Sequence, residues 1–390
     1  MILNITHKNS DNVIVKISGR IDTNNIAYLE DQLLNSDAIN ESHYVTFDFS
    51  SLKYISSSGL RLFLKFKKKN IDFEIVDLST EVYEIFEMTG FTDMFKISRA
   101  MRNINVTNHE ILGHGANGTV YKIDNETILK LYNNKPNIMD EILNEREHAK
   151  YALLAGIPTA ISFDIVKSGD KYGTVFELIN AKSMAGILGD DISLKNVYLP
   201  SYVELLKTLH AIPYKKTEKI SLPDANERYL RHLGELKDKL PASLYDTLCE
   251  LSKEIPFSNT LLHGDCHPNN IMVTKDELLF IDMDTLSVGN PIFDFSYLYS
   301  TLIGYKVLNP NDDFFRFSLD ESKEIWNTLM DMYYSELSKE DLEKYKAICK
   351  CISHAQIYRN SHRHPDKRTD EDRKNALTLL TKAVNAFCVL

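Results

Sequence analysis

Alternating β-branched residues open the chain: VIVKI at 13–17 predicts a strand that ends in the turn Ser18-Gly19. After Thr23, the positions Ile26, Leu29, Leu33 and Leu34 recur at helical spacing and predict one apolar helix face. The two periods keep alternating. YVTFDF at 44–49 reads as a second strand, 60–66 as a helix and FEIVD at 73–77 as a third strand. Val82, Ile85 and Phe86 then mark a helix that Ser79 is placed to cap. Strands interleaved with helices predict a small α/β domain over residues 1–100. The polar, basic stretch KISRAMRNIN at 96–105 shows no core pattern and reads as a connection.

The rhythm then changes. TVYKI and TILKLY predict two strands joined at Asp124-Asn125, followed by a helix over 144–154 and a strand at 174–180. From about residue 195 helical spacing dominates, with core faces at Val203, Leu206 and Leu209, at Leu230, Leu233, Leu236 and Leu240, and at Leu244, Leu248, Leu251 and Ile255. Helices return from about 321, with Ile325, Leu329 and Met332, then Leu377, Leu380, Val384 and Phe387 as their apolar faces. The mixed-charge stretch RNSHRHPDKRTDEDRK at 359–374 reads as a solvated loop.

Length and charge narrow the classes. A chain of 390 residues is long for one core and points to two or three domains. A net charge of -10 and a pI near 5.7 argue against a general nucleic-acid binder. No apolar run approaches the ~18–20 residues that span a bilayer, and the start MILNITHKNSDN lacks a signal-peptide pattern. The five cysteines are irregularly spaced and imply no disulfide framework. The expectation is a reduced cytoplasmic protein with neither a membrane nor a nucleic-acid partner.

Candidate chemistry concentrates in LLHGDCHPNNIMVTKDELLFIDMD at 261–284. A hydroxyl nucleophile needs a carboxylate to take its proton, and a nucleoside triphosphate needs hard oxygen ligands for magnesium. Asp265 can be the base; Asn270 and Asp282 can be the ligands. Upstream, Gly113, Gly115, Gly118 and Val120 fit G-x-G-x-x-G-x-V. Alone that pattern fits an ordinary hairpin or a dinucleotide fingerprint, but the latter needs a helix directly after it, and here a strand follows. Lys130 stands alone among apolar strand neighbours, and Glu145 and Glu147 are its candidate partners on the next helix.

Two resemblances follow from these residues. SGRIDTNNIAYLE, FDFSSLKYISSSGLR and EIFEMTGFTDMF, over roughly 3–98, resemble a STAS domain, the module of anti-sigma-factor antagonists. That implies a protein partner and, by the family pattern, phosphorylation at Ser57, with Ser56 where regulatory members carry aspartate. A phosphate there would meet the free N–H groups of a helix start; the plain alternative is that these serines only cap the helix.

Residues 107–390, through HGDCHPNN and FIDMD, resemble the aminoglycoside phosphotransferase and choline kinase group. This implies an α+β bilobal protein-kinase-like fold, with 107–180 as the N-lobe and 181–390 as a mostly helical C-lobe. It implies Asp265 as catalytic carboxylate and Asn270 and Asp282 as magnesium ligands, assisted by Asp284. His263 would orient the loop, and Asp294 in GNPIFDF would fix it by hydrogen bonds. Lys130 would grip the phosphates of ATP or GTP, with Glu145 as its partner, and main-chain groups near Glu177 and Ile179 would meet the base. The implied reaction moves the γ-phosphate to a hydroxyl of a small molecule. A signalling kinase acting on protein, Ser57 included, and an inactive nucleotide sensor are the alternatives.

Overall fold

The computed structural model describes residues 1–7, 12–69, 71–115, 117–216, 220–363 and 368–390. They form two compact units, Met1–Asn105 and Val106–Leu390.

In the first unit, β1 (Ile2–His7), β2 (Asn12–Ile21), β3 (Tyr44–Ile55), β4 (Asp72–Leu78) and β5 (Lys96–Arg99) lie side by side in sequence order. The first pair is antiparallel and the rest are parallel. Helices α1 (Ile26–Leu34), α2 (Ser57–Lys68) and α3 (Thr80–Met88) complete an α/β layer structure. Val13, Val15 and Ile17 alternate inward along β2, and Leu29 and Leu33 are the buried side of α1. The core is rich in phenylalanine: Phe47 meets Phe63 edge-on with centroids 5.1 Å apart. Phe49, Phe66 and Phe86 are also fully buried.

Two boundaries differ from the sequence reading. Strand β2 passes through Ser18-Gly19 to Ile21, because Gly19 at φ 92° absorbs an irregularity in register that a side chain would resist. The stretch read as a connection contains β5, which pairs Ile97 with Ile75. An edge strand tolerates polar residues on both faces, so its pattern is faint.

In the second unit, β6 (Ile111–His114), β7 (Gly118–Lys122), β8 (Thr127–Tyr132), α4 (Ile138–Leu154), β9 (Ser162–Ser168) and β10 (Lys171–Glu177) come first. These strands pair antiparallel in the order β9-β10-β8-β7-β6. Helix α4 buries Ile138, Ile142, Ala149 and Ala152. The helical part follows, with α5 (Lys195–His210), α6 (Ala225–Gly234) and α7 (Ala242–Leu251). Four short strands come next, β11 (Thr260–Leu262), β12 (Ile271–Val273), β13 (Leu278–Phe280) and β14 (Ser287–Gly289). They make two antiparallel pairs, β11 with β14 and β12 with β13. The unit closes with α8 (Ile292–Tyr299), α9 (Leu319–Tyr333), α10 (Lys339–Arg363) and α11 (Asp370–Phe387). Tyr202, Phe280, Phe295 and Trp326 are its largest fully buried side chains.

The reading of 359–374 as a solvated loop is corrected. Arg359 lies in α10, is 5% exposed and holds Glu235 through Nε at 2.8 Å and Nη2 at 2.7 Å. Residues 370–374 begin α11, and 364–367 lie outside the described residues. A charge-rich stretch looks solvated when its partner is far off in sequence. Likewise α6 stops at Gly234, so Leu236 and Leu240 are buried from the turns beyond it, while Leu230 and Met332 are exposed. Among the described residues, no helix is long and apolar enough to cross a membrane.

Phe63→Ala is expected to cost the full chain about 3–5 kcal/mol in guanidinium unfolding, because five aromatic neighbours cannot collapse into the space.

Candidate active site

Strand register places the first group. Val120 on β7 and Thr174 on β10 flank Lys130 on β8. The ammonium of Lys130 reaches Glu145 Oε1 at 2.8 Å and Asp282 Oδ1 at 2.6 Å. Burial alone would push Lys130 down, but the charges of Glu145 and Asp282 outweigh it and hold the group above its usual range. Glu145, 4% exposed, is pushed up by burial against the pull of Lys130, and the Tyr132 hydroxyl donates to its second oxygen at 2.9 Å. Glu147 makes no such contact with Lys130.

The glycine loop lies between β6 and β7. Gly118 has a steric reason: a Cβ there would sit 2.2 Å from the Leu131 carbonyl oxygen. The Gly115 N–H donates to the Gly118 carbonyl at 2.8 Å, and nothing lies within 4 Å of a Cβ built on Gly113. Asn117 within the loop donates to Asp284 Oδ2 at 3.3 Å. Asn117, Tyr132, Glu145, His148 and Asp284 are among the residues lining a cavity of about 310 Å³.

The second group is a loop between β11 and β12 built around one buried carboxylate. Asp294 at the start of α8 accepts from His263 N–H at 2.9 Å and Gly264 N–H at 2.7 Å. His210 Nε2 lies 3.1 Å from the same carboxylate, and Tyr333 Oη lies 2.8 Å from His210 Nδ1. Burial raises the Asp294 pKa, yet these donors, with His210 first, hold it below the usual carboxylate range. Gly264 has φ 80°, and a Cβ there would lie 2.5 Å from the Thr285 carbonyl oxygen. The Thr285 hydroxyl donates to the His263 carbonyl at 2.8 Å, and the Tyr202 hydroxyl donates to the Cys266 carbonyl.

His263 is wholly buried. Its Nδ1 accepts from Asp265 N–H at 3.2 Å, so Nε2 carries the proton it donates to the Ile281 carbonyl at 3.1 Å. Burial pushes its pKa down, consistent with that neutral tautomer. The Asn270 amide donates to the Asp265 carbonyl at 2.8 Å, which leaves its Oδ1 as the acceptor end of the side chain. Asp265 itself is pushed up to about 7, by burial and then by the charges of Asp282, Asp284 and Asp294. His267 Nε2 lies 3.3 Å from its Oδ1 without making a well-aligned hydrogen bond, and burial takes His267 down to about 4. Cys266 is buried, with its thiol pushed far up by burial, which removes it as a nucleophile.

Asp282 adopts a left-handed backbone, φ 63°, and Asp284 follows on the next turn. Carboxylate oxygens of Glu145, Asp282 and Asp284 lie within 4.8 Å of one another. Three hard oxygen donors at that spacing suit magnesium. Burial, then Asp282, pushes Asp284 up to about 7.

The remaining expected residues make none of the contacts described above. Glu177 ends β10, where its carboxylate accepts from Ile161 N–H at 3.1 Å. The N–H groups of Glu177 and Leu178 are already taken by Ile161 and Glu126, and the Ile179 carbonyl accepts from Ala181. Ser57, in the other unit, is exposed in the first turn of α2, where Ser56 caps Gly59 N–H at 3.3 Å. Asn117, Tyr132, Tyr202, His210 and Thr285 are what sequence reasoning missed. Only Asn117 carried a local signal, its place inside the glycine motif.

This two-lobed fold, with a lysine–glutamate pair above a braced HGD loop, defines a kinase-like phosphotransferase. The model of the phosphotransferase enzyme family matches residues 109–322, and the chain belongs to that family. A STAS domain precedes it at residues 4–104. Among solved structures the chain is similar to the GDP and kanamycin complex of APH(2")-IIIa, at 16% identity over 78% of this chain and 98% of that one, with a TM-score of 0.51. It is also similar to ADP-bound aminoglycoside phosphotransferase APH(2'')-Ib, at 15% identity over 77% and 98%, with a TM-score of 0.50. At these identities the likeness is one of fold. No curated protein matches the chain.

Asp294→Asn is expected to cost about 3 kcal/mol at pH 7, because an amide turns its NH2 toward a buried N–H donor. A carboxyl held low stabilises the fold fully above its unfolded pKa of about 4 and loses that contribution as pH falls through its folded value. The gap between wild type and variant in guanidinium titrations should therefore hold from pH 7 down to about pH 4 and shrink below it.

Proposed function

We propose that the second unit transfers the γ-phosphate of ATP or GTP to a hydroxyl of a small molecule. The observation that supports this most is the convergence of Lys130, Glu145, Asp282 and Asp284. In the same unit stands a half-buried carboxylate, Asp265, shifted up to about 7. A group titrating near the working pH is suited to accept a proton in the transition state. The acceptor oxygen bonds to the γ-phosphorus, the bond to the bridging β–γ oxygen breaks, the hydroxyl proton passes to Asp265, and the nucleoside diphosphate leaves.

Lys130 would hold the α- and β-phosphates under the glycine loop of Gly113, Gly115 and Gly118, with Val120 beneath the base and Glu145 aligning the ammonium. The Glu177 to Ile179 main chain would meet the base edge. Asp282 and Asn270, helped by Asp284, would hold magnesium, which supplies charge neutralisation across the phosphate oxygens. His263 and Asp294 position Asp265 without touching the substrate.

A second reading has one specific observation in its favour. Ser57 is exposed in the first turn of α2 while Ser56 already serves as cap, so Ser57 is open to a phosphate-transferring partner and to the helix N–H groups. In that reading the STAS domain docks a protein and Ser57 is a substrate; intact mass after incubation with ATP and magnesium tests it, and an unmodified Ser57 counts against it. An inactive sensor would have no chemical need for Lys130, Asp265, Asn270 and Asp282 together.

Asp265→Asn is expected to bind nucleotide nearly as wild type does and to slow transfer by at least ~10²–10⁴-fold. Full activity would remove Asp265 as the base. Asp282→Ala should lose the magnesium dependence of nucleotide binding, measured by calorimetry with and without the ion; binding that still tracks magnesium would remove Asp282 as a ligand.

A further inference from the structure

Charge on the helical side of the catalytic loop has one member left over. Arg228 and His232 stand one turn apart on α6, both half-buried. Across from them on α10 are Gln356, which hydrogen-bonds His232, and Asn360, whose amide donates to Tyr305 Oη at 2.8 Å. Tyr297, on α8, and Tyr305 are half-buried as well. All six side chains are half-buried, so this polar and aromatic set stays within reach of solvent.

Arg228 reaches Ser287 Oγ at 3.4 Å and makes no ion pair among the described residues. Ser287 pairs with Leu262, directly before the catalytic loop. Among the described residues, the carboxylates around this surface other than Asp265 already have donors. Glu235 is taken by Arg359 at 2.7 and 2.8 Å. Asp294 is filled by His210 and two backbone donors. Asp224 caps Glu227 N–H at 2.9 Å and Asp312 accepts from Phe314 N–H at 2.9 Å.

The local field agrees: His232 is taken down to about 4 by burial, then by the positive charges of Arg359 and Arg228. Tyr297 feels both ends of the surface, pushed up by burial and then by Asp265, and eased by Arg228. A half-buried guanidinium without a carboxylate is costly unless a ligand completes it, and its planar fork matches carboxylate or phosphate oxygens.

We propose that the phosphate acceptor carries an anionic group, a carboxylate or a phosphate ester, which Arg228 binds while the acceptor's hydroxyl faces Asp265. This rests on the phosphotransferase reading. His232, Gln356, Asn360, Tyr297 and Tyr305 supply hydrogen bonds around the anion and its carbon frame.

The test uses the full chain saturated with magnesium–ADP, so that the nucleotide phosphate site is filled. Inorganic phosphate at constant ionic strength should raise the melting temperature relative to chloride in the wild type and not in Arg228→Met. No phosphate-specific rise in the wild type, or an equal rise in Arg228→Met, overturns the proposal. Nucleotide consumption is then followed with glycerate, ribose 5-phosphate, glycerol and choline. Turnover of glycerate or of ribose 5-phosphate, with an acceptor KM at least tenfold higher in Arg228→Met and partly restored in Arg228→Lys, supports it and distinguishes carboxylate from phosphate. Turnover confined to choline or glycerol overturns it. Where none of the four turns over, the phosphate-induced rise decides. Failure of the wild type to bind magnesium–ADP would instead sink the phosphotransferase reading itself.

Discussion

Burying a carboxylate costs several kcal/mol unless donors surround it, and Asp294 is surrounded: two backbone N–H groups and His210 converge on its two oxygens. The arrangement works in both directions. The carboxylate is affordable only while residues 263 and 264 keep their present path, and that path is what puts Asp265 at the end of a short strand. Gly264 belongs to the same constraint, because a side chain there would collide with the Thr285 carbonyl. Around this anchor the loop is tied at the His263 carbonyl by Thr285, at the Cys266 carbonyl by Tyr202 and at the Asp265 carbonyl by Asn270. Asp265 is therefore positioned by groups that, in the proposed reaction, need never meet the substrate.

The other half of the cleft is satisfied in a different way. The ammonium of Lys130 divides itself between Glu145 and Asp282. Asn117 meanwhile bonds the glycine loop to Asp284. In the proposed reaction, phosphates would share the Lys130 ammonium that Glu145 keeps aligned and a divalent ion would take over Asp282, so binding would exchange partners rather than create charge pairs in a dry site. Burial, and after it the same excess of negative charge, raises the pKa values of Asp265 and Asp284. A cation placed among Glu145, Asp282 and Asp284 relieves that excess.

Legibility in the sequence followed the range of the interaction. The glycine motif, Lys130, HGDCHPNN and IDMD are each carried within a dozen residues, and short-range chemistry of that kind can be read as spacing. Strand β5 escaped because an edge strand need not alternate, and β2 was cut short because Gly19 imitates a turn while serving as an irregularity inside a strand. Arg359 was taken for a surface charge because its partner, Glu235, lies 124 positions away. His210 and Tyr202, set in α5, were read only as part of a helix with an apolar face.

By itself the sequence determined the two-part plan, the α/β then kinase-like classes, and the residue types able to handle phosphate, metal and proton. Those follow from periodicity and from local spacing, which act over one or two turns of chain. Only the tertiary structure decided that Tyr132 shares Glu145, that His210 and Tyr333 stand behind Asp294, that Arg359 takes Glu235 and that Arg228 is left without a carboxylate. Each of these depends on how donors and acceptors distant in sequence are paired off once water is excluded, and that count exists only in the folded chain.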